Sequence, residues 1–254
     1  MPARVTITAI AGLPLVKPGD DLCALLVAAL DGQDLRPESG DILVVAQKVV
    51  SKAENRLLDL KDVEPSPEAI ELAARADKDP RQMEAVLRES REVVRSRPGV
   101  VVVEHRLGHV MANAGIDHSN LADDDEDIVL LLPADPDASA TALKRRLDQT
   151  YDCDVGVVIS DSVGRAWRLG TVGMAIGVAG IPAVEDRRGD PDLFGRELRI
   201  TVTGFADAVA AAAVLVMGEA NEATPAALVR GLSWKGGPGS VRDILRPREE
   251  DMFR

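Results

Sequence analysis

Apolar residues recur along this chain with two spacings, one that suits strands and one that suits helices. Residues 5–10 alternate as a strand, 155–159 is a continuous run of apolar and glycine positions that suits a strand covered on both faces, 41–46 is a second, buried apolar strand, and 128–132 is another strand. Residues 100–103 and 108–111 read as paired strands, 198–203 as a strand behind a charged loop at 186–196, and 226–230 as the last strand. Leu22, Leu25, Leu26 and Leu30 predict a helix capped by Asp20 or Asp21. The Pro-rich patch at 64–67 opens a helical region to about residue 97, with Ala69, Leu72, Ala73, Met83, Val86, Leu87 and Val93 on its apolar face. Asp79-Pro80 divides it in two, the aspartate capping the second helix and the proline sitting in its first turn. Residues 133–139 lead into a helix through Leu143 and Leu147, and the alanine-rich stretch 205–217 predicts a deeply buried one. The small, Gly-rich segment 172–180 suits close backbone packing or a subunit contact, and the Gly/Pro-rich segment 233–240 introduces a tail, 233–254, expected to be partly mobile.

Composition narrows the classes. With 254 residues, 46% hydrophobic and 28% charged, the chain is long enough for a sizeable core, and aromatics at 2% leave that core to Val, Leu, Ile and Ala. The same scarcity argues against base stacking, and a formal charge of −12 argues against a nucleic-acid or anionic-membrane surface. A small phosphorylated ligand stays open, because it needs only a local pocket of cations in which acids hold a divalent ion. Cys23 and Cys153 offer no metal-ligand spacing, read as structural and fit a reducing compartment, and the three histidines show no metal spacing either. No window is long and apolar enough for a membrane span or signal peptide, so a cytoplasmic location is expected.

Candidate chemistry gathers at three turns. The run ending in Asp161 and Ser162 is followed by Gly164, Arg165, Arg168 and Gly170, a strand delivering polar groups; taken alone, it reads equally as a strand and a polar turn with Asp161 as a cap. Asn113, Asp117, Ser119 and Asn120 offer oxygen ligands around a glycine, or an Asx-rich turn. Glu219 follows a glycine at the end of the 205–217 helix, where cations are normally preferred, so an acid there hints at a metal or lies in a surface loop. Lys48 and Lys52 follow the second buried strand. Carboxylates for divalent ions beside lysines and arginines for phosphate oxygens are what phosphoryl transfer requires. Neither common nucleotide fingerprint, G-x-x-x-x-G-K-[ST] or G-x-G-x-x-G after a strand, is present, and nothing matches a Ser-His-Asp or Cys-His set.

Residues 12–16 (Gly-Leu-Pro-Leu-Val) with 19–22, 49–54 (Val-Val-Ser-Lys-Ala-Glu), 113–117 (Asn-Ala-Gly-Ile-Asp) with Ser119 and Asn120, Asp161 with Gly164-Arg165, and Met217-Gly-Glu219 together resemble the coenzyme F420-0:L-glutamate ligase family, in order from about residue 5 to 232. The resemblance implies one ligase domain over 1–254, or two intimate subdomains, with an uncommon α+β fold of mixed β-sheets and packed helices, in an interlocked homodimer. It implies a GTP-dependent amide ligase that joins L-glutamate to a deazaflavin phospholactate, coenzyme F420-0, through an acyl phosphate. By similarity, Leu13, Pro14, Leu15, Val16, Gln47, Lys48, Lys52, Asn120 and the stretch Val216, Met217, Gly218, Glu219, Ala220, Asn221, Glu222 and Ala223 contact the nucleotide. Asp117, Asp161 and Ser162, with Glu219, hold Mg²⁺ or Mn²⁺, and K⁺ is a further expected ion. Asp117, Asp161 and Lys52 are the expected catalytic set, and Arg165 and Arg168 candidate phosphate or acceptor contacts. Gln47-Lys48 stand where some relatives have small hydroxyl residues, and Asn55 replaces a frequent glycine, which bears on the nucleotide contacts. Two other readings remain: a non-catalytic nucleotide-binding regulator of the same fold, and an amide ligase with another carboxylate acceptor.

Overall fold

The computed structural model describes residues 4–118 and 127–253. Its centre is a five-stranded sheet in the order β1-β12-β2-β8-β9. The strands are β1 (Thr6–Ala9), β2 (Ile42–Ala46), β8 (Gly156–Gly164), β9 (Thr171–Ala179) and β12 (Ala226–Arg230). β2 and β8 run parallel and the other pairings are antiparallel. The continuous apolar runs are explained by two cores. Alternate residues such as Leu43, Val45, Val157 and Ile159 meet α1 (Leu22–Gly32), α2 (Gln47–Ala53) and α5 (Pro136–Tyr151) on one face. Ile42, Val44 and Val158 meet α6 (Phe205–Met217) on the other.

Between β2 and β8 the chain builds a third apolar cluster from α3 (Pro67–Ala76), α4 (Pro80–Arg88) and the sheet β4 (Ser90–Arg97), β5 (Val100–His105), β6 (Val110–Ala112). A short antiparallel pair, β3 (Leu57–Asp59) with β7 (Ile128–Leu130), links it to the main sheet. Two short strands, β10 (Glu185–Asp186) and β11 (Val202–Thr203), pair near the carboxyl half. The molecule is thus α+β, with one mixed sheet and three antiparallel ones among the described residues.

The helix starts follow the cap rules. Asp21, Ser66, Asp79 and Asp135 each accept a backbone N–H in the first turn, and Pro67, Pro80 and Pro136 occupy the turn they open. The helical region does not reach residue 97. It ends at Arg88, and residues 90–97 form β4, because Val93 and Val94 sit among charges that alternate to solvent and pair with β5. The expected strand 198–203 is likewise reduced to Val202–Thr203, which finds only the two residues of β10 as a partner.

Close approach explains the glycines of β9. A Cβ on Gly177 would stand 2.5 Å from the backbone of Pro136, so α5 lies directly on this strand. The outer edge of β9 is closed by carboxylates: Ala175 N–H donates to Asp207 in the first turn of α6 (2.9 Å), and Val178 N–H to Asp137 in the first turn of α5 (2.8 Å). Asp137 also accepts from the Ser240 hydroxyl (2.7 Å) and from Val241 N–H, which ties the start of the tail to the sheet. No helix among the described residues is long and apolar enough to cross a membrane.

Candidate active site

The parallel register of β2 and β8 sets Ala46 beside Ser160, so the start of α2 and Asp161 leave the same end of the sheet. At that end β1 runs out into the loop 10–21, since Ile10 N–H donates to Ala226 O, and Gly19 N–H then reaches Ala53 O at the end of α2. The segment 218–225 arrives there too, with Ala46 N–H on Pro225 O. This is where an open sheet tends to bind ligands, beyond the carboxyl ends of parallel strands.

On α2, Lys48 and Lys52 are one turn apart and therefore on one face. Lys48 Nζ lies 2.6 Å from Asp117 Oδ2. Burial, and then the charge of Lys48, hold the Lys52 ammonium below its usual pKa. Asp117 is delivered by backbone pairing across to β7, donating to Leu130 O (3.2 Å) and accepting from Leu130 N–H (2.9 Å). The turn before it is strained: Asn113 and Ala114 have φ of 51° and 55°, and left-handed backbone costs a residue such as alanine about 1–2 kcal/mol. Strain of this kind concentrates at functional sites.

Asp161 is half-buried. Burial raises its carboxyl from 3.8 to about 6, against a bond from Ser162 N–H (2.9 Å) and the charge of Lys48; the charges of Asp117 and Glu219 raise it further. Asp117 and Glu219 therefore both lie close enough to Asp161 to bear on its charge at this end of the sheet. Glu219 is exposed and leaves Gly218, whose φ of 76° and ψ of 175° fall in a region essentially restricted to glycine. In the same turn Glu222 accepts from Ala220 N–H (2.8 Å) and Thr224 donates to Met217 O (2.9 Å), so Glu222 serves the loop itself.

Other candidates are dispersed. Asp161 and Ser162 are consecutive on β8, so strand alternation sends their side chains to opposite faces. Gln47 is buried, its Oε1 accepting from Ser51 Oγ (2.9 Å), and Val16 belongs to the core, whereas Pro14 and Leu15 are exposed. Arg165 Nη2 donates to Leu169 O (3.2 Å) and closes its own turn, and Arg168 is exposed nearby. Asn120 lies outside the described residues. Among the described residues, no three of His, Cys, Asp or Glu form a ready metal cluster. Two aspartates still fit Mg²⁺ or Mn²⁺, since such ions commonly take one or two carboxylates and complete their shell with phosphates and water.

Sequence reasoning overlooked the half-buried carboxylate that braces this region. Glu89 accepts from Arg106 Nε (2.9 Å) and Arg56 Nη2 (3.3 Å) and faces His105 Nε2 at 3.4 Å. Burial opposes its charge, yet His105, Arg106 and Arg56 together hold the carboxyl down to about 2. Arg56 Nε also donates to Leu132 O (2.9 Å), fixing the exit of α2 against the segment after β7. Only the charged residue types signalled this cluster in the sequence.

The comparisons with known proteins point the same way. A family model described as F420-0:Gamma-glutamyl ligase matches residues 12–231. The chain is 45% identical over 254 residues to the coenzyme F420:L-glutamate ligase of Methanothermobacter thermautotrophicus, covering 98% of this chain and 99% of that protein. It is 48% identical over 243 residues to the protein of that name from Methanopyrus kandleri, covering 94% and 93%, and 45% identical over 251 residues to that from Archaeoglobus fulgidus, covering 99% and 97%. With the match running from the loop after β1 to the end of β12, the chain belongs to the F420-0:gamma-glutamyl ligase family.

Proposed function

We propose that this protein ligates L-glutamate to coenzyme F420-0 with GTP as cosubstrate, giving the γ-linked glutamyl tail. The observation that carries the reading is the Lys48–Asp117 pair beside Asp161 at one end of the sheet, with Glu219 near enough to bear on the Asp161 charge, in a chain of this family. A carboxylate oxygen of the acceptor attacks the γ-phosphorus of GTP, the bond to the β-phosphate oxygen breaks, and GDP leaves. The glutamate amine then attacks the acyl phosphate carbonyl, the C–O bond to phosphate breaks, and the amine proton passes to solvent or a nearby base. Lys52 neutralises charge on the transferred phosphoryl group, and its lowered pKa reflects a partly dry setting in which such charge is worth more. Asp117 and Asp161 are the carboxylates that would hold a divalent ion, Mg²⁺ or Mn²⁺, which when bound would neutralise phosphate oxygens. Ser162, whose side chain leaves the opposite face of β8, would reach such an ion only through its backbone, Glu219 would approach from the flank, and K⁺ is a candidate accessory ion.

The exposed apolar side chains Trp167, Leu169, Leu193, Phe194 and Ile200 support a homodimer, because a monomer rarely leaves so many large ones in water. Light scattering at twice the 27.0 kDa chain mass is the expected result. The activity is tested by incubating the protein with GTP, Mn²⁺, L-glutamate and F420-0 and following the mass of the deazaflavin. A gain of whole glutamyl residues with stoichiometric GDP is expected; nucleotide binding without any gain would favour a non-catalytic binder, and glutamylation of other carboxylates alone a different acceptor.

A further inference from the structure

We infer that Lys48 is a tethered cation that holds the divalent-metal position of Asp117 in the nucleotide-free protein and hands it over when nucleotide arrives. The inference rests on the site proposed above and on the ion pair Lys48–Asp117 within it. Lys48 Nζ stands 2.6 Å from Asp117 Oδ2, with the lysine side chain 27% exposed and the carboxylate 37% exposed. An ammonium at that distance from a carboxylate oxygen occupies one of the directions from which a hard divalent ion would bind, and a metal approaching Asp117 meets a like charge there. Lys48 offsets the charge of Asp161 as well as that of Asp117.

Lys48 has somewhere else to go. It lies one turn before Lys52 on the same face of α2, and the two ammoniums oppose each other's charge, which makes the ground between them a place for phosphate. A lysine swings on a four-carbon stem without any change of backbone, whereas Asp117 is pinned by its two bonds to Leu130. Lys48 is therefore a positioning residue that sets the order of events: metal alone binds Asp117 against its competition, and metal with a nucleoside diphosphate or triphosphate binds with its help. The resting pair keeps the acids apart from stray cations, and the phosphate releases it.

The test titrates Mn²⁺ into the nucleotide-free protein, following free Mn²⁺ by electron paramagnetic resonance, for the wild type, Lys48→Met, Asp117→Asn and the double variant. Lys48→Met is expected to bind Mn²⁺ about fivefold more tightly, the factor for a half-exposed ion pair that no longer has to be broken. In the Asp117→Asn background the same change should alter Mn²⁺ affinity by less than about twofold, because the coupled partner is gone. With Mn²⁺ saturating, Lys48→Met should instead bind GDP more weakly. Lys48→Gln, checked by its thermal transition, serves if the methionine variant folds poorly. Wild-type binding of Mn²⁺ with unchanged or weaker binding by both lysine variants would overturn the role of Lys48 alone. No Mn²⁺ binding by any form would overturn the metal reading of the site and this inference with it.

Discussion

Asp161→Asn should stabilise the metal-free protein while removing its turnover. The wild-type carboxyl is raised from 3.8 to about 6, and a gap of that size corresponds to about 3 kcal/mol of preference for the protonated form in the fold. The sign follows from linkage. A raised carboxyl favours the folded state fully below pH 3.8 and loses that contribution as pH rises through about 6, so above 6 the ionised group is a standing cost. Asparagine resembles the protonated acid in shape and keeps an oxygen to accept the Ser162 N–H, but carries no charge for Asp117 and Glu219 to repel. Some of the gain is lost with the attraction of Lys48, and the half-open setting screens more, leaving about 1–3 kcal/mol at pH 8 and about half as much at pH 5. For a chain of this size that is a rise of roughly 2–10 °C in the thermal midpoint. Thermal and urea transitions in chelator at pH 5 and pH 8 check it. Added Mn²⁺ should raise the wild-type midpoint and leave the variant's unchanged. A variant less stable than wild type at pH 8, or a difference that does not grow with pH, would refute this account of the carboxylate.

Gly177→Ala should cost about 1–3 kcal/mol in urea unfolding, because the new methyl meets the Pro136 backbone, which moves only with α5. Asp41 is almost fully buried and takes three close contacts from the Arg230 guanidinium, the shortest 2.6 Å; Asp41→Ala should lower stability by about 3 kcal/mol, with an unchanged midpoint as the contrary result. Burial and then the neighbouring His105 depress His109 from 6.5 to about 4, so its contribution is present above pH 6.5 and lost as pH falls to about 4. Over that window it should account for about 3 kcal/mol of acid destabilisation, and His109→Phe should flatten the pH dependence of the urea midpoint there.

Much of the fold was legible where local chemistry is decisive. Asp79-Pro80 and the prolines at 67 and 136 announced helix starts that the structure carries, because caps are satisfied within one turn. The continuous runs at β2 and β8 read correctly as strands covered on both faces. What failed depended on partners. Residues 90–97 carry helix-compatible charges and become a strand only because β5 lies beside them, and 198–203 stays mostly irregular because no long strand is available. The residues of the site could be named one by one, yet their convergence could not, since Asp117 reaches Lys48 through the pairing of a distant turn with β7. The burial of Gln47 has no local signature, whereas the opposite facing of Asp161 and Ser162 follows from strand alternation once 155–162 is taken as one strand.

The carboxylates of Asp137 and Asp207 have a consequence for how the molecule behaves in a crowd. A sheet offers two borders on which a foreign strand can zip, and here one of them is stoppered twice, by side chains drawn from helices on opposite faces. The other border is β1, four residues long before the chain turns away into the loop 10–21. Growth of the sheet by recruited strands is thereby obstructed over residues 175–178 of β9, where a foreign strand would have to displace two carboxylates before it could extend the hydrogen-bonded ladder.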